Sequence, residues 1–343
     1  MARAAARSKR RDPRGHQAES PWRIPRAGWK QVIRRTWQQT WIDNVGLVAA
    51  GVAFYGFLAF VPLLAAVILI YGLLAKIGTV VDTMGTLFRV LPSDIAKLLS
   101  DQVVGIVHTS QGKKGIGIVI ALAIALYGAS NGAGAVITAL NIAYEERERR
   151  PLWKYYLVAL IITAGVIITA LLALAAAAIV ATLQTFVPNA PPATILLGKA
   201  AAYVAMTLAG AAIAATLYRF APCRAHAQWV WITPGSIFAA LVWLLLTLAF
   251  GFYVSKVANY AATYGSLAAV AGLLTWMYLS AYAFVFGAEL NREVEHQTAK
   301  DSTTGKPRPM GDRGAWAADH VASDDKVPKA KKRKKPSVSD QKR

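Results

Sequence analysis

Residues 264–293 read YGSLAAVAGLLTWMYLSAYAFVFGAELNRE. From Val257 to Ala288 the chain carries no charged side chain. An apolar helix of about 20 residues covers the roughly 30 Å hydrocarbon core of a bilayer, so this stretch predicts a membrane-spanning helix. The stretch ends in Gly-Ala-Glu-Leu-Asn, which makes Glu289 the one acidic residue that the sequence places in an apolar span.

The whole chain has the composition of a membrane protein. Of its 343 residues 55% are hydrophobic and 16% are charged, against roughly 25% charged in soluble domains. Lys and Arg outnumber Asp and Glu by 38 to 18, and most of the excess lies in residues 1–44 and 291–343. The single cysteine, Cys223, excludes an internal disulfide and a multi-cysteine metal cluster. No apolar run precedes Val45, so we expect no cleavable signal peptide.

Apolar runs long enough to cross a bilayer recur along the chain. They predict an all-α, polytopic integral membrane protein, a bundle of six transmembrane helices within a membrane domain of residues 45–296. The predicted spans are 45–75, 116–140, 157–187, 200–217, 231–254 and 266–290.

The two flanks are predicted to behave differently from the bundle. Residues 1–28 and 297–343 are polar and basic, and are predicted to be disordered tails. Residues 29–44 repeat an apolar side chain every four positions, and basic and amide side chains lie on the other face. The apolar positions form a mainly aromatic stripe of Trp29, Ile33, Trp37 and Trp41. This pattern favours an amphipathic helix at the membrane interface, the alternative being a helix packed on another part of the protein.

The basic run KAKKRKK at residues 329–335 has two interpretations. It attracts anionic lipid or nucleic acid, or it is a solvated tail that contributes only to orientation. The expected partner is the lipid bilayer, with no specific nucleic acid, and oligomer formation is left open.

The distribution of basic residues predicts the orientation. The flanks and the loops on their side carry 31 Lys and Arg, and the remaining loops carry 7. Because positive charge accumulates on the cytoplasmic side, both termini are predicted to lie in the cytoplasm of a multi-pass protein of the cell inner membrane.

Polar residues, glycines and prolines in or beside the spans are the candidate functional positions. Asp43 and Asn44 precede the first span and are predicted to cap it. Gly128 and Gly132 have the spacing of close helix packing, and Thr233-Pro234 resembles a helix start. The candidate polar and hinge residues are Asp43, Asn44, Tyr55, Pro62, Asn131, Tyr264, Gly265, Glu289 and Asn291.

Glu289 has two competing interpretations. An ionisable group within a membrane suggests a functional site, such as a proton-coupled solute path. However, Arg292 follows at i+3, and the span ends there, so the sequence favours a weak interfacial ion pair for Glu289.

Motifs of catalysis are missing from the sequence. The five histidines are scattered, and no metal-ligand spacing, nucleophile elbow or phosphate loop is present. We therefore predict no catalytic residue, no metal and no cofactor.

Several segments together resemble a known family. They are the YGS and GAELN motifs of the quoted stretch, the run from Asp43 to Leu64, NIAYEERERRPLWK at 141–154, LYRFAP at 217–222 and TPG at 233–235. These segments resemble the YihY/virulence factor BrkB family of bacterial inner-membrane proteins, over roughly residues 29–293. The resemblance implies a six-span protein without an established catalytic residue. Some members carry the name ribonuclease BN, which is regarded as a misassignment, and one branch is linked to serum resistance.

The sequence therefore favours a non-enzymatic membrane protein with a transport or envelope-maintenance role, which handles a lipid-like or small amphipathic solute. A membrane-anchored enzyme is one alternative. A scaffold that recruits a partner through its basic tail is another.

The orientation is testable by cysteine labelling. In a Cys223→Ser background, a cysteine placed at Ser323 should resist a membrane-impermeant thiol reagent in intact cells and react after the cells are opened. Reaction in intact cells would contradict the predicted orientation.

Overall fold

The structure is a computed structural model that describes residues 12–74, 116–186, 192–256 and 267–322. In these ranges the chain is helical and contains no strand, apart from a single bridge between Ala227 and Thr303. The helices are α1 (Arg26–Ile42), α2 (Val45–Leu74), α3 (Ile116–Ala143), α4 (Leu152–Phe186), α5 (Pro192–Phe220), α6 (Trp229–Lys256), α7 (Ala268–His296) and α8 (Trp316–Asp319), with a 3-10 turn at Pro21–Arg23.

Six of these helices, α2 to α7, are long and apolar enough to cross a membrane. This confirms the predicted fold class, a polytopic all-α protein. The helices extend past several predicted boundaries: α4 begins at Leu152 rather than 157, and α7 continues to His296 rather than 290. The extensions carry polar and charged residues, which a hydropathy criterion assigns to loops.

The spans form an open row in which α7 is central. α7 packs against α6 on one side and α2 on the other, while α3 packs on α2. The row ends with α4 beside α3 and with α5 beside α6. The last span of the chain therefore holds the two halves of the bundle together.

Helix α1 lies against α7 through a narrow face of small side chains. Gly28, Val32, Thr36 and Thr40 are buried on this face. Three residues of the predicted stripe point away from the protein, since Ile33, Trp37 and Trp41 are 60%, 58% and 71% exposed, whereas Trp29 packs against a buried cluster. Both sequence interpretations of this helix therefore describe part of it: one face packs on the protein, and the other is free to meet a membrane interface.

Asp43 and Asn44 separate α1 from α2, and the backbone conformation of Asn44 makes the break. Asn44 has a φ of +51°, a left-handed conformation that asparagine tolerates better than most residues. Its carbonyl accepts hydrogen bonds from Leu47 and Val48, while its side chain donates to Ile42. Asp43 accepts from Gln39 of α1. The start of α2 is thus stabilised by the Asn44 backbone carbonyl, which corrects the prediction of a side-chain cap.

The structure also corrects the predicted start of the fifth span. α6 begins at Trp229, so Pro234 lies inside the helix rather than at its first position. Asn291 of α7 reaches this point: its Oδ1 accepts from the Gly235 N–H at 2.7 Å, and its Nδ2 donates to the Ile232 carbonyl at 2.9 Å. A neighbouring helix thereby satisfies backbone groups around the proline, as membrane bundles require.

Parts of both predicted disordered tails are folded. Residues 12–28 and 297–322 lie together at one end of the bundle, which we call the termini end. Thr298 donates from its Oγ1 to the Ala18 carbonyl at 2.7 Å, and the Ala299 N–H donates to His16 at 2.8 Å. The Arg313 guanidinium donates to four carbonyls of its own segment, those of Ala299, Lys300, Arg308 and Ala318. Composition predicted disorder because it carries no information about contacts between distant residues. Residues 1–11 and 323–343 lie outside the described ranges.

The contact between α6 and α7 is close enough to require glycine. A Cβ at Gly235 would overlap the Gly287 carbonyl oxygen, whereas a Cβ at Gly251 of the same helix would meet nothing within 4 Å. We expect Gly235→Ala to lower the apparent unfolding temperature, with an overpacking cost of about 1–3 kcal/mol. Gly251→Ala should be neutral or stabilising, since alanine favours helix.

Thermal unfolding of the two purified variants in one detergent checks this contrast. Equal unfolding temperatures for Gly235→Ala and Gly251→Ala would show that the two helices are not in close contact at Gly287.

Candidate functional site

A cavity of about 460 Å³ lies between α2, α3 and α4. Its apolar wall comes from small and branched residues of α2 and α3. Six of its thirteen lining residues carry a hydroxyl or an amide: Tyr55, Ser130, Asn131, Thr138, Tyr155 and Tyr156. An apolar cavity with a few polar groups is the usual form of a small-molecule site.

The cavity extends from one membrane boundary to the middle of the membrane. Val48 lies near the start of α2 and Ile142 near the end of α3, so both mark the termini end. Asn131 lies midway along the apolar span Val119–Ala143. The cavity therefore occupies the half of the bundle on the side of the termini.

The hydrogen-bonding capacity of the cavity wall is only partly used. Ser130 and Thr138 donate their hydroxyls to carbonyls of their own helix, which leaves their oxygens as acceptors. No hydrogen bond joins the Asn131 amide to another described residue, and the side chain is exposed. An amide without a partner is costly in hydrocarbon, so Asn131 marks a place where water or a polar ligand group is expected.

Glycines on α3 bring it against α2 beside the cavity. A Cβ at Gly132 would lie 2.9 Å from the Ala59 Cβ, and one at Gly128 would lie 3.0 Å from the Pro62 ring. The predicted packing pair and the predicted kink residue thus meet in one interface. Such close approach of small residues is a common means of helix association in membranes.

A second polar feature, a buried ion cluster, lies at the termini end around Arg292. The Arg292 guanidinium is buried and lies 2.9 Å from Glu145, 2.8 Å from Glu293 and 3.4 Å from Glu289. Its charge also lies over the ring of Trp316, 5.3 Å from the centroid. One cation therefore connects the end of α3, helix α7 and the C-terminal segment.

Glu289 belongs to this cluster and not to the cavity. The predicted ion pair with Arg292 is present, but both side chains are buried, which corrects the expectation of a weak pair near water. Neither carboxylate oxygen of Glu289 accepts a hydrogen bond from a described residue, and Asp43 also interacts with this carboxyl group electrostatically. Glu289 does not line the cavity wall between α2, α3 and α4.

Two further ion pairs extend the cluster. Arg35 of α1 binds Glu293 at 2.6 Å, and Arg224 binds Glu295 at 2.6 Å. Ser302 adds a hydrogen bond to Glu295 at 2.8 Å. Burial opposes the charge of Arg224, but the nearby Glu295 outweighs it and raises the pKa of Arg224 above its ordinary value. The cluster thus joins α1, α7, the loop before α6 and the tail.

The loop between α3 and α4 is fixed by its own charges. Arg150 hydrogen-bonds the Glu148 carboxylate and lowers the pKa of Glu148 to about 2, aided by the Asn141 amide. Burial raises the pKa of Glu146, which accepts a hydrogen bond from the Trp316 backbone N–H at 2.7 Å. This loop therefore contacts the C-terminal segment and closes the termini end.

The structure separates the predicted candidates into groups. Tyr55 and Asn131 line the cavity, while Asp43, Glu289 and Asn291 lie at the termini end. Tyr264 and Gly265 lie outside the described residues.

Sequence reasoning missed part of both features. Ser130, Thr138, Tyr155 and Tyr156 of the cavity wall were not singled out, although Ser130 and Asn131 are adjacent polar residues in an apolar span. Of the ion cluster, the sequence predicts only the Glu289–Arg292 pair. It does not predict the partners Arg35, Glu145, Arg224 and Glu295, because no local signal distinguishes a buried arginine from an exposed one.

Within the described ranges, no group of three or more His, Cys, Asp or Glu side chains is arranged for metal binding.

Comparison with known proteins gives a consistent result. Residues 36–311 match the sequence model of a family described as virulence factor BrkB. A UPF0761 membrane protein of Rhodospirillum centenum is 26% identical over 90% of this chain, which spans 66% of that protein. A UPF0761 membrane protein of Pseudoalteromonas atlantica is 24% identical, over 76% of this chain and 86% of the relative.

A third relative bears a different kind of name. A putative ribonuclease-like protein of Bacillus subtilis, YfkH, is 27% identical over 61% of this chain and 76% of its own length. No solved structure matches the chain.

Removing the charge of Arg292 should destabilise the protein more than removing the charge of Glu289. Arg292→Gln leaves three carboxylates without their buried cation, and we expect a loss of about 3–5 kcal/mol of stability. Glu289→Gln should cost far less, because Arg292 keeps Glu145 and Glu293. The matched control is Arg23→Gln, which removes an exposed pair with Glu19 and should change little.

Apparent unfolding temperatures of the three variants, measured in one detergent, check the order. If Arg292→Gln unfolds at the same temperature as Arg23→Gln, the cluster has no structural role. A change in the pH dependence of function in Glu289→Gln would favour the proton-coupled interpretation.

Proposed function

The chain belongs to the virulence factor BrkB family, and from that premise we propose that this membrane protein moves a lipid-like or small amphipathic solute, in a non-enzymatic transport or envelope-maintenance role. The observation that carries the proposal is the unpaired amide of Asn131 in a cavity at the middle of a span. A polar group at that depth is costly unless it meets water or a ligand.

The shape and lining of the cavity support an amphipathic solute. Branched and small side chains such as Val48, Val52 and Ile142 suit an apolar chain. The hydroxyls and the amide suit a polar group that enters as far as Asn131. A solute whose polar part travels through such a cavity avoids direct contact with hydrocarbon, which is the main barrier to crossing a membrane.

The proposal includes a place in the cell. We propose the inner membrane, with both termini in the cytoplasm, because the basic residues are concentrated in the flanks and in the loops on their side. In this orientation the cavity opens on the cytoplasmic half of the membrane. The exposed stripe of Trp37 and Trp41 on α1 would then lie at the cytoplasmic interface.

Lipid movement between leaflets tests the proposal directly. Purified protein in liposomes should accelerate the transfer of a fluorescent lipid analogue, and Asn131→Leu should reduce the rate about tenfold, the value of one or two lost hydrogen bonds. Thr169→Leu is the matched control, since Thr169 is an exposed polar residue of α4 whose hydroxyl bonds its own helix at Gly165.

Protein-dependent flux that is insensitive to Asn131→Leu would show that the solute does not pass through this cavity. Absence of flux for every lipid and amphiphile tried would contradict the transport role.

The enzymatic alternative has its own test. The ribonuclease-like name belongs to the relative from Bacillus subtilis, and we propose that this chain is not a ribonuclease. Purified protein, with and without divalent metal, should leave labelled RNA intact. RNA cleavage that is lost on a point change within the spans would overturn this view.

A further inference from the structure

We infer that the ligand group held in the cavity is uncharged and rich in hydroxyls, as in the sugar or glycerol head group of a neutral lipid. This inference rests on the proposed function, because it names the class of solute that the same cavity would take. The observation behind it is the chemistry of the cavity wall: none of the thirteen residues described as lining it is charged.

A charged head group would enter this cavity at a high cost. Moving an ion from water to an apolar site is unfavourable unless an opposite charge and hydrogen bonds compensate for it. Lys154 is the cation beside the cavity in sequence, but it is not part of the wall, and its ammonium lies over the Trp153 ring at 5.3 Å. The cations of the buried ion cluster are already paired with carboxylates.

The hydrogen-bonding groups of the wall match hydroxyls better than phosphate or ammonium. The hydroxyls of Ser130 and Thr138 donate hydrogen bonds to backbone carbonyls, so their oxygens remain free only to accept. The Asn131 amide both donates and accepts. A phosphate diester offers acceptors alone and a quaternary ammonium offers neither, whereas each hydroxyl of a sugar donates and accepts.

The aromatic rings in the wall also suit a group that is rich in hydroxyls. Tyr55, Tyr155 and Tyr156 each contribute a ring and a hydroxyl to the wall. The hydroxyl of Tyr155 lies in the space left by Gly134, where a Cβ would come within 2.7 Å of it. Tyrosine combines an apolar surface with a polar end, so it suits the mixed C–H and O–H surface of a sugar.

Lipid retention distinguishes head groups without requiring transport. The full-length protein would be purified in detergent and incubated with an equimolar mixture of three lipids that share the same acyl chains: a monoglucosyl diacylglycerol, phosphatidylglycerol and phosphatidylcholine. Bound lipids would then be measured by native mass spectrometry. We expect the glucosyl lipid to be retained about tenfold over the two phospholipids, since two or three additional hydrogen bonds would supply that difference.

Matched variants assign the preference to the cavity. Asn131→Leu should abolish it, while Thr169→Leu on α4 should preserve it. Asn131→Lys places a cation in the wall and should shift the preference towards phosphatidylglycerol. Unfolding temperatures close to that of the unmodified protein would show that each variant is folded, and Gly134→Ala provides a second variant that disturbs the cavity by displacing Tyr155.

The outcomes separate this inference from the proposed function. Equal retention of the three lipids, retention of none, or a preference for phosphatidylglycerol in the unmodified protein would overturn the inference. Flux of a charged lipid through an Asn131-dependent route would overturn it while leaving the transport role in place. Selective retention of the glucosyl lipid without flux in liposomes would support the inference and contradict transport.

Discussion

The burial of one guanidinium is the interaction on which the rest of the structure depends. Arg292 is removed from water, and a buried charge is tolerated only where opposite charges surround it. Its partners come from the end of α3 (Glu145) and from α7 itself, and Glu293 is shared with Arg35 of α1. The ion pairs that compensate for burying this one cation therefore position three helices. Trp316 covers the guanidinium, which adds a contact between the cluster and the C-terminal segment.

The ion cluster and the cavity divide the bundle into two regions with different properties. Helix α7 is joined at the termini end to α1, to the loop before α6 and to the C-terminal segment, so it forms the fixed part of the molecule. Helix α4 lies at the edge of the row and contributes Tyr155 and Tyr156 to the cavity. In the proposed transport role, solute would move along the α2–α3–α4 side without breaking the buried ion pairs.

Two asparagines show how the same side chain serves different purposes at different depths of the bundle. Asn291 uses both ends of its amide to satisfy the backbone of α6 near Pro234, and is fully buried there. Asn131 has an equally polar amide in an apolar span, yet it is exposed in a cavity and bonds no described residue. Asn291 therefore lowers the cost of the proline in α6, whereas Asn131 keeps its hydrogen-bonding capacity for a ligand.

The sequence by itself determined the six spans, the all-α class and the family, because apolar length and motif order are local properties. It also identified Asn131 and Glu289 as polar residues in apolar surroundings. Only the tertiary structure decided that Asn131 opens into a cavity while Glu289 is enclosed by Arg292, and that the tails fold over the termini end. These outcomes depend on pairs far apart in the chain, such as Arg35 with Glu293, and no local pattern encodes whether a charge will find such a partner.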